Sequence, residues 1–265
     1  MTTNSSDPVL LTSALGVTTI TLNRPERKNA IDESMWRTLT GLLQQIRNDA
    51  GTRVVVLQGA GGDFCAGADV AKSTHDEHPI PRLRRIGDVA HALFELPMPV
   101  IAKVDGVAAG AGCNMALACD IVIASERGRF SEIFSRRGLS IDFGGSWLLP
   151  RIVGLQQAKR LALLAEVIGA AEAYRLGMVT WVQPVDQLDE FVADIAQRLA
   201  ALPPIALEQT KALMNAGMDI DLPTAIRNET AAQAVNFATE DAPAAFRAFL
   251  DKTDPPHYTG RWAVR

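Results

Sequence analysis

Apolar residues recur along this chain with two periods, which divide it into alternating strands and helices followed by a last quarter of helices alone. Segments 9–12 and 17–22 are rich in Val, Leu, Ile and Thr and read as two strands joined through Ser13 to Gly16. Asp32 is a good helix N-cap, and Trp36, Leu39, Leu43 and Ile46 follow it at helical spacing until Asp49-Ala50-Gly51. Segment 53–58 reads as a buried strand, and the polar stretch 70–78 as a mobile loop. A helix is predicted over 81–95 with Leu83, Ile86, Val89, Ala90, Leu93 and Phe94 on its apolar face. Pro97-Met98-Pro99 closes it and leads into a strand over 100–104. Next come a turn over 106–112 that opens a helix through Met115 to Ala118, a strand over 120–124, and a loop over 138–151 that runs into a helix. Helices over 156–165 and 170–176 precede a last strand over 179–182. Beyond Pro184 only helices are predicted, over 188–201, 205–217, 222–237 and 242–250. No linker rich in Pro, Gly or Ser separates the parts, so residues 1–185 and 186–265 are read as the core and helical region of one structural unit.

The strand over 53–58 ends in Gly59-Ala60-Gly61-Gly62-Asp63-Phe64-Cys65-Ala66-Gly67-Ala68-Asp69-Val70, and the strand over 100–104 ends in Asp105-Gly106-Val107-Ala108-Ala109-Gly110-Ala111-Gly112-Cys113. Small residues in these positions let a ligand approach main-chain N–H groups that larger side chains would shield. Two such strand ends are what a two-donor anion hole needs. Taken singly, either loop is more simply a tight turn chosen for packing. Rival motifs fail. Met115 and Phe64 stand where the last glycine of a dinucleotide fingerprint belongs, no GxxxxGK[ST] phosphate loop occurs, and Leu148 breaks the nucleophile elbow that Gly144-Gly145-Ser146-Trp147 begins.

At 265 residues the chain can bury a sizeable core, and 48% hydrophobic with 21% charged residues is ordinary for a globular protein. A net charge of −4 gives no reason to expect a nucleic acid or an anionic membrane as partner. No apolar run approaches ~20 residues, the N-terminus has no basic start followed by an apolar stretch, and the expected compartment is the cytoplasm. Cys65, Cys113 and Cys119 show no zinc-type or CxxC spacing and read as small apolar fillers, since no histidine sits at a diagnostic spacing to activate one.

Phe64-Cys65-Ala66-Gly67-Ala68-Asp69 and Gly106 to Cys113 resemble the two signature loops of the crotonase (enoyl-CoA hydratase/isomerase) superfamily, and Leu22-Asn23-Arg24-Pro25-Glu26-Arg27-Lys28-Asn29-Ala30 resembles its N-terminal segment. The likeness runs from about residue 9 to the C-terminus. It implies an α/β fold, a spiral of ββα repeats with the final helices folded over as a lid and trimer contact, in a homotrimer or dimer of trimers. It implies an acyl-CoA substrate, with coenzyme A entering as part of that substrate and no separate cofactor or metal. By the same resemblance the backbone N–H groups of Ala68 and Ala111 form the oxyanion hole for the thioester, each donor worth roughly 3–4 kcal/mol in the transition state. Ala111 stands where the family often has glycine. Arg27 or Lys28 would meet the CoA phosphates, and Ala30, Ala66 and the Asp69-Val70-Ala71 backbone would line the CoA pocket.

The acid–base groups discriminate within the family. Its hydratases use two glutamates, and at those positions this chain carries Asn114 and Phe134. Asparagine can position a water but cannot take its proton, and phenylalanine does neither. Glu132 is close by, but a two-residue shift on a helix would aim it elsewhere. One carboxylate remains, Asp142, which in an arbitrary chain would be read as a helix N-cap before Gly144-Gly145. Here it resembles the working aspartate of 1,2-epoxyphenylacetyl-CoA isomerase-type members, and an apolar neighbour such as Phe134 would raise its pKa. The resulting expectation is an isomerase-like enzyme with Asp142 as its one acid/base. The alternatives are Asp142 as a nucleophile, a hydratase with an atypical site, and a non-catalytic acyl-CoA-binding protein; a nicotinamide dehydrogenase is more distant.

Overall fold

In the computed structural model, which describes residues 6–70 and 78–263, the chain opens with a hairpin of β1 (Val9–Ala14) and β2 (Val17–Leu22). Its turn residues Leu15 and Gly16 both have positive φ, the conformation a two-residue hairpin turn demands. Helix α1 (Glu33–Arg47) begins where Asp32 Oδ1 accepts from the backbone N–H groups of Ser34 and Met35, and buries Met35, Trp36, Leu39, Leu43 and Ile46. Strand β3 (Val54–Gly59) follows, then α2 (Pro79–Phe94), β4 (Val100–Val104), β5 (Val107–Ala109) and α3 (Ala111–Leu117). The next turn of chain adds β6 (Ile121–Ser125), β7 (Arg129–Ser131), α4 (Gly145–Val153) and α5 (Leu155–Leu164). Strand β8 (Val167–Gly169), α6 (Ala170–Arg175) and β9 (Trp181–Gln183) complete the core, and α7 (Leu188–Ala200), α8 (Pro204–Gly217), α9 (Leu222–Phe237) and α10 (Asp241–Asp251) complete the chain.

The strands form two sheets. The larger has the order β1-β2-β3-β4-β6-β9, parallel throughout except for the opening hairpin, and the smaller has the order β5-β7-β8. Successive turns of chain thus place one strand in each sheet before a helix, β4 then β5 then α3, and β6 then β7 then α4. Alternation along β3 decides what each face packs against. Val55 and Leu57 enter the main core with α1, α2 and α3, while Val54 and Val56 face Leu188, Val192, Ile195 and Ala196 of α7. Both faces are covered, which is why β3 reads as an unbroken apolar run.

The strand and helix expectations hold in order, with two corrections. The last strand lies at 181–183 rather than 179–182, and three short strands in the smaller sheet, β5, β7 and β8, carry no pattern that sequence could show. Of the 70–78 loop, residues 71–77 lie outside the described residues, and Ala71 with them.

One side chain ties the N-terminal turn to the loop after β3. Asn29 is fully buried with φ +56, accepts at Oδ1 from the Arg24 N–H at 2.9 Å, and donates to the carbonyls of Ala60 and Asp63 at 2.9 and 2.7 Å. Asparagine tolerates the left-handed conformation and supplies both donor and acceptor, a combination few residues offer. Asn29→Ala strips buried backbone groups of their partners and is expected to destabilise the protein by roughly 2–4 kcal/mol, read as a lower urea midpoint with an unchanged slope.

Candidate active site

The two small-residue strand ends meet. Cys65 bridges to β5 in parallel fashion: its N–H donates to Val107 O at 2.8 Å and its carbonyl accepts from Ala109 N at 2.9 Å. On the other side Ala68 bridges to Ile31, where Ile31 N donates to Gly67 O and Asp69 N donates to Ile31 O. In such a bridge the residues flanking Ala68 make the bonds, so the N–H of Ala68 itself faces away from Ile31. Ala111 is the first residue of α3, a position whose N–H has no partner within the helix. A Cβ on Gly67, which has φ +93, would sit 2.8 Å from Ala109 O and 3.5 Å from Ala111 N, so the two backbones are in contact at this point. The structure therefore brings the Ala68 and Ala111 segments together, Ala68 exposed and Ala111 buried.

The residues expected at CoA also share one region. Lys28 follows the short 3-10 helix Pro25–Arg27 with φ +50; its ammonium lies 3.7 Å from Asp63 and stays largely exposed, as does Arg27. Ala66 N donates to Lys28 O at 2.9 Å, joining that turn to the first loop. Beneath it, Arg24 donates to Ala30 O at 2.7 Å and to Asp69 Oδ2 at 3.0 Å, with Asp32 at 3.5 Å. Arg24 thereby fixes Ala30 and Asp69, the two ends of the strip on which Ala66 lies, and Val70 is exposed beside it. Sequence reasoning gave Arg24 no role, because nothing in its spacing shows which carboxylates it will reach.

The carboxylates are where the structure departs most from expectation. Asp142 does not cap α4, whose N-cap position is Gly144 at φ +75 with no side-chain cap. Its side chain is half-buried, Oδ1 is buried without a hydrogen-bond partner, and burial pushes its pKa up to about 6. The neighbouring Phe143 has φ +51 and packs its buried ring against Trp36 of α1, centroids 5.9 Å apart, which holds the loop. Phe134 lies against Gly110, with its ring 3.7 Å from where a Cβ on that glycine would be.

Glu132 is not on a helix. It follows β7 directly and precedes the 3-10 segment Ile133–Arg137, so the helical argument that aimed it elsewhere does not apply. Its side chain is 1% exposed, and Oε2 accepts from Asn114 Nδ2 at 3.2 Å. Asn114 Nδ2 also donates to the Asp142 carbonyl at 2.9 Å. Asn114, in the first turn of α3, thus joins the Glu132 carboxylate to the backbone of Asp142. Burial, with the charge of Asp142 added, pushes Glu132 up to about 7. The same amide packs hard on α4: a Cβ on Gly145 would fall 2.3 Å from Asn114 Nδ2. A signal for Glu132 existed, an acid amid the apolar residues around it, but only the short strand reveals its direction.

A cavity of about 670 Å³ opens next to Phe143 and Gly144, walled by Phe94, Trp147, Leu148 and, from α8, Asn215 and Ala216. It continues into a second of about 640 Å³ that shares Phe94, Trp147 and Leu148 and reaches the Lys211–Asp120 ion pair at 2.7 Å. Ala68, Ala111 and Asp142 are not among the wall residues, so the cavity adjoins the carboxylate loop rather than containing it. The three cysteines are buried, and burial pushes their thiols up, Cys65 to about 12, so they stay protonated at neutral pH and fill space. Among the described residues no group of three or more His, Cys, Asp or Glu side chains could hold a metal ion, and no helix is long and apolar enough to cross a membrane.

The sequence pattern of the family described as enoyl-CoA hydratase/isomerase matches residues 12–261. A probable enoyl-CoA hydratase of Rhodobacter capsulatus is 38% identical over 248 residues, covering 93% of this chain and 95% of that one. The 1,2-epoxyphenylacetyl-CoA isomerase of Escherichia coli is 38% identical over 252 residues, covering 93% of this chain and 96% of that one. Among solved structures, an enoyl-CoA hydratase from Bacillus anthracis superposes with a TM-score of 0.91 at 33% identity, covering 96% of this chain and 100% of that one. The two-sheet spiral with its C-terminal helices is the crotonase fold, as the sequence motifs implied. On the match of nearly its whole length, the chain belongs to the enoyl-CoA hydratase/isomerase family of acyl-CoA enzymes.

Proposed function

We propose that this protein moves a proton, and with it a double bond, within the acyl group of an acyl-CoA thioester. The observation that carries the reading is the meeting of the Ala68 and Ala111 segments at the start of α3, the helix whose Asn114 holds the backbone carbonyl of the half-buried Asp142. Asp142, ionised, takes a proton from the carbon next to the thioester carbonyl. The electrons of that C–H bond form a C=C bond, and negative charge moves onto the thioester oxygen. The N–H groups of Ala68 and Ala111 hold that oxygen, which lowers the barrier because they bind the enolate more strongly than the neutral carbonyl. In a substrate that begins with a β,γ double bond, Asp142 then returns the proton to the γ-carbon: the β,γ π electrons form the new C–H bond, the enolate C=C electrons shift to make the α,β double bond, and the oxygen's charge restores the thioester carbonyl. Arg27 or Lys28 would meet the CoA phosphates, with Ala30, Ala66, Asp69 and Val70 beneath the nucleotide, and the cavity under α8 would take the acyl tail.

A second reading, hydration of an enoyl-CoA, draws support from Glu132, which restores the number of carboxylates a hydratase uses. Against it stands burial: Glu132 is 1% exposed and engaged by Asn114, a poor position from which to activate a water. Loss of crotonyl-CoA absorbance, run beside deuterium incorporation into acyl-CoA thioesters in D2O, separates the two. The isomerase reading expects exchange much faster than hydration.

The assembly we propose is a homotrimer or dimer of trimers. Helices α8, α9 and α10 bury almost nothing within the chain, while Met214, Leu222, Phe246, Phe249 and Leu250 are exposed, Phe249 at 81%. Light scattering is expected to give three or six times the chain mass, and a monomer at micromolar concentration would refute the assembly.

Two further outcomes test the chemistry. Asp142→Asn should lower α-proton exchange about 10²–10⁴-fold with little change in acyl-CoA affinity. In the wild type, exchange should fall as pH drops through about 6, because the ionised form of Asp142 is the base. Ala111→Pro removes one N–H at the first helical position, where proline is tolerated, and should lower exchange at least a hundredfold while circular dichroism stays unchanged.

A further inference from the structure

Glu132 is a buried acid that the proposed reaction does not use. Its Oε1 has no hydrogen-bond partner, and the Oδ1 atoms of Asn114 and Asp142, both buried, have none either. The titratable groups that act on Glu132 come from two elements packed against it: the Cys113 thiol of α3, which lowers its pKa, and the Asp142 carboxylate of the loop before α4, which raises it. Both are acids, and among the described residues no cation faces Glu132. The Asn114 amide is held in its present sense by the Asp142 carbonyl, an obligate acceptor that a turned-over amide oxygen would face. Burial without a counter-ion holds such a carboxyl neutral to higher pH than in water.

We propose that Glu132 is a second proton-holding group of this site, a positioning residue that stays protonated while Asp142 is ionised and so keeps a second negative charge out of the pocket where the enolate forms. The proposal rests on the reading of Asp142 as the base. Asn114 donates to Glu132 and also anchors the Asp142 carbonyl, so one amide places both acids, while burial and the Asp142 charge, against the pull of that hydrogen bond, favour neutral Glu132. Once Glu132 ionises, its charge opposes both the Asp142 carboxylate and the growing charge on the thioester oxygen. Burial raises both carboxyls and the charge of Asp142 raises Glu132 further, so Asp142 gives up its proton first. The two limbs belong to the pair rather than to either residue.

The pH dependence of α-deuterium exchange tests this in the intact wild type and in Glu132→Gln, which keeps the size and the oxygen that accepts from Asn114 but cannot ionise. Wild-type exchange should pass through a maximum between pH 6 and 7 and lose about tenfold by pH 8.5, whereas Glu132→Gln should keep the acid limb and lose less than twofold over the same alkaline interval. Glu132→Ala, which removes the acceptor, should be slower than Glu132→Gln at every pH. Thermal unfolding provides a readout independent of turnover. A carboxyl whose folded pKa lies above its unfolded one binds its proton more tightly in the native state, so its contribution is full below about pH 4.5 and is lost as pH rises through about 7. The wild type should therefore lose Tm between pH 5 and 8 relative to Glu132→Gln. An identical alkaline limb and identical Tm profile in the two proteins would overturn the proposal, as would Glu132→Gln losing exchange more than a hundredfold at all pH while folded, since Glu132 would then be delivering a proton itself. Full exchange in Asp142→Asn would instead remove the base on which the reading rests, while the Tm comparison would still report whether Glu132 is neutral.

Discussion

Everything at this site depends on two stretches of backbone approaching more closely than side chains permit. A Cβ on Gly112 would fall 2.3 Å from the Cys65 carbonyl, and one on Gly67 would fall 2.8 Å from the Ala109 carbonyl. No residue but glycine fits at either place without moving main chain. That contact joins the loop after β3 to the smaller sheet and puts the start of α3 against Gly67. Behind it, Arg24 and Asn29 fasten the N-terminal turn to the same loop by hydrogen bonds that need buried partners on both sides. The contact is short-range and steric, so it defines the relative position of the two amides with little freedom.

The second constraint is electrostatic. Asp142 and Glu132 approach the first turn of α3 with one amide, Asn114, between them and no counter-ion among the described residues. A charge on one acid raises the cost of charging the other, so burial and mutual repulsion both favour a proton on Glu132. The loop that carries Asp142 is itself strained. Phe143 holds a left-handed backbone that disfavours a bulky residue by roughly 1–3 kcal/mol, offset by burial of its ring against Trp36. Strain retained next to Asp142 marks a position that the surrounding packing over-determines.

What could be read in the sequence follows from the length of each pattern. Helix α1, with its Asp32 cap and five buried positions, and β3, buried on both faces, carry enough residues for their periods to be seen. Strands β5, β7 and β8 are three residues each, held by pairing rather than by propensity, and they went unread. That omission has a direct cost at the site. With β7 unseen, the segment after Phe130 looks helical, and Glu132 is assigned a direction it does not have. The use of Asn114 as a brace between Glu132 and the Asp142 backbone needed the Asp142 carbonyl in view. Arg24 reaching Ala30 and Asp69 is likewise a long-range contact with no local signature.

The central claim is that the amides of Ala68 and Ala111 act together on a thioester oxygen. Isotope-edited infrared spectroscopy of an acyl-CoA labelled with 13C at its carbonyl, bound to the wild-type protein, tests this most directly. Two converging donors weaken the C=O bond, so the labelled band is predicted at lower frequency in the complex than for the same thioester in water. A band at the same frequency or higher, with binding verified in the same sample, would contradict the account.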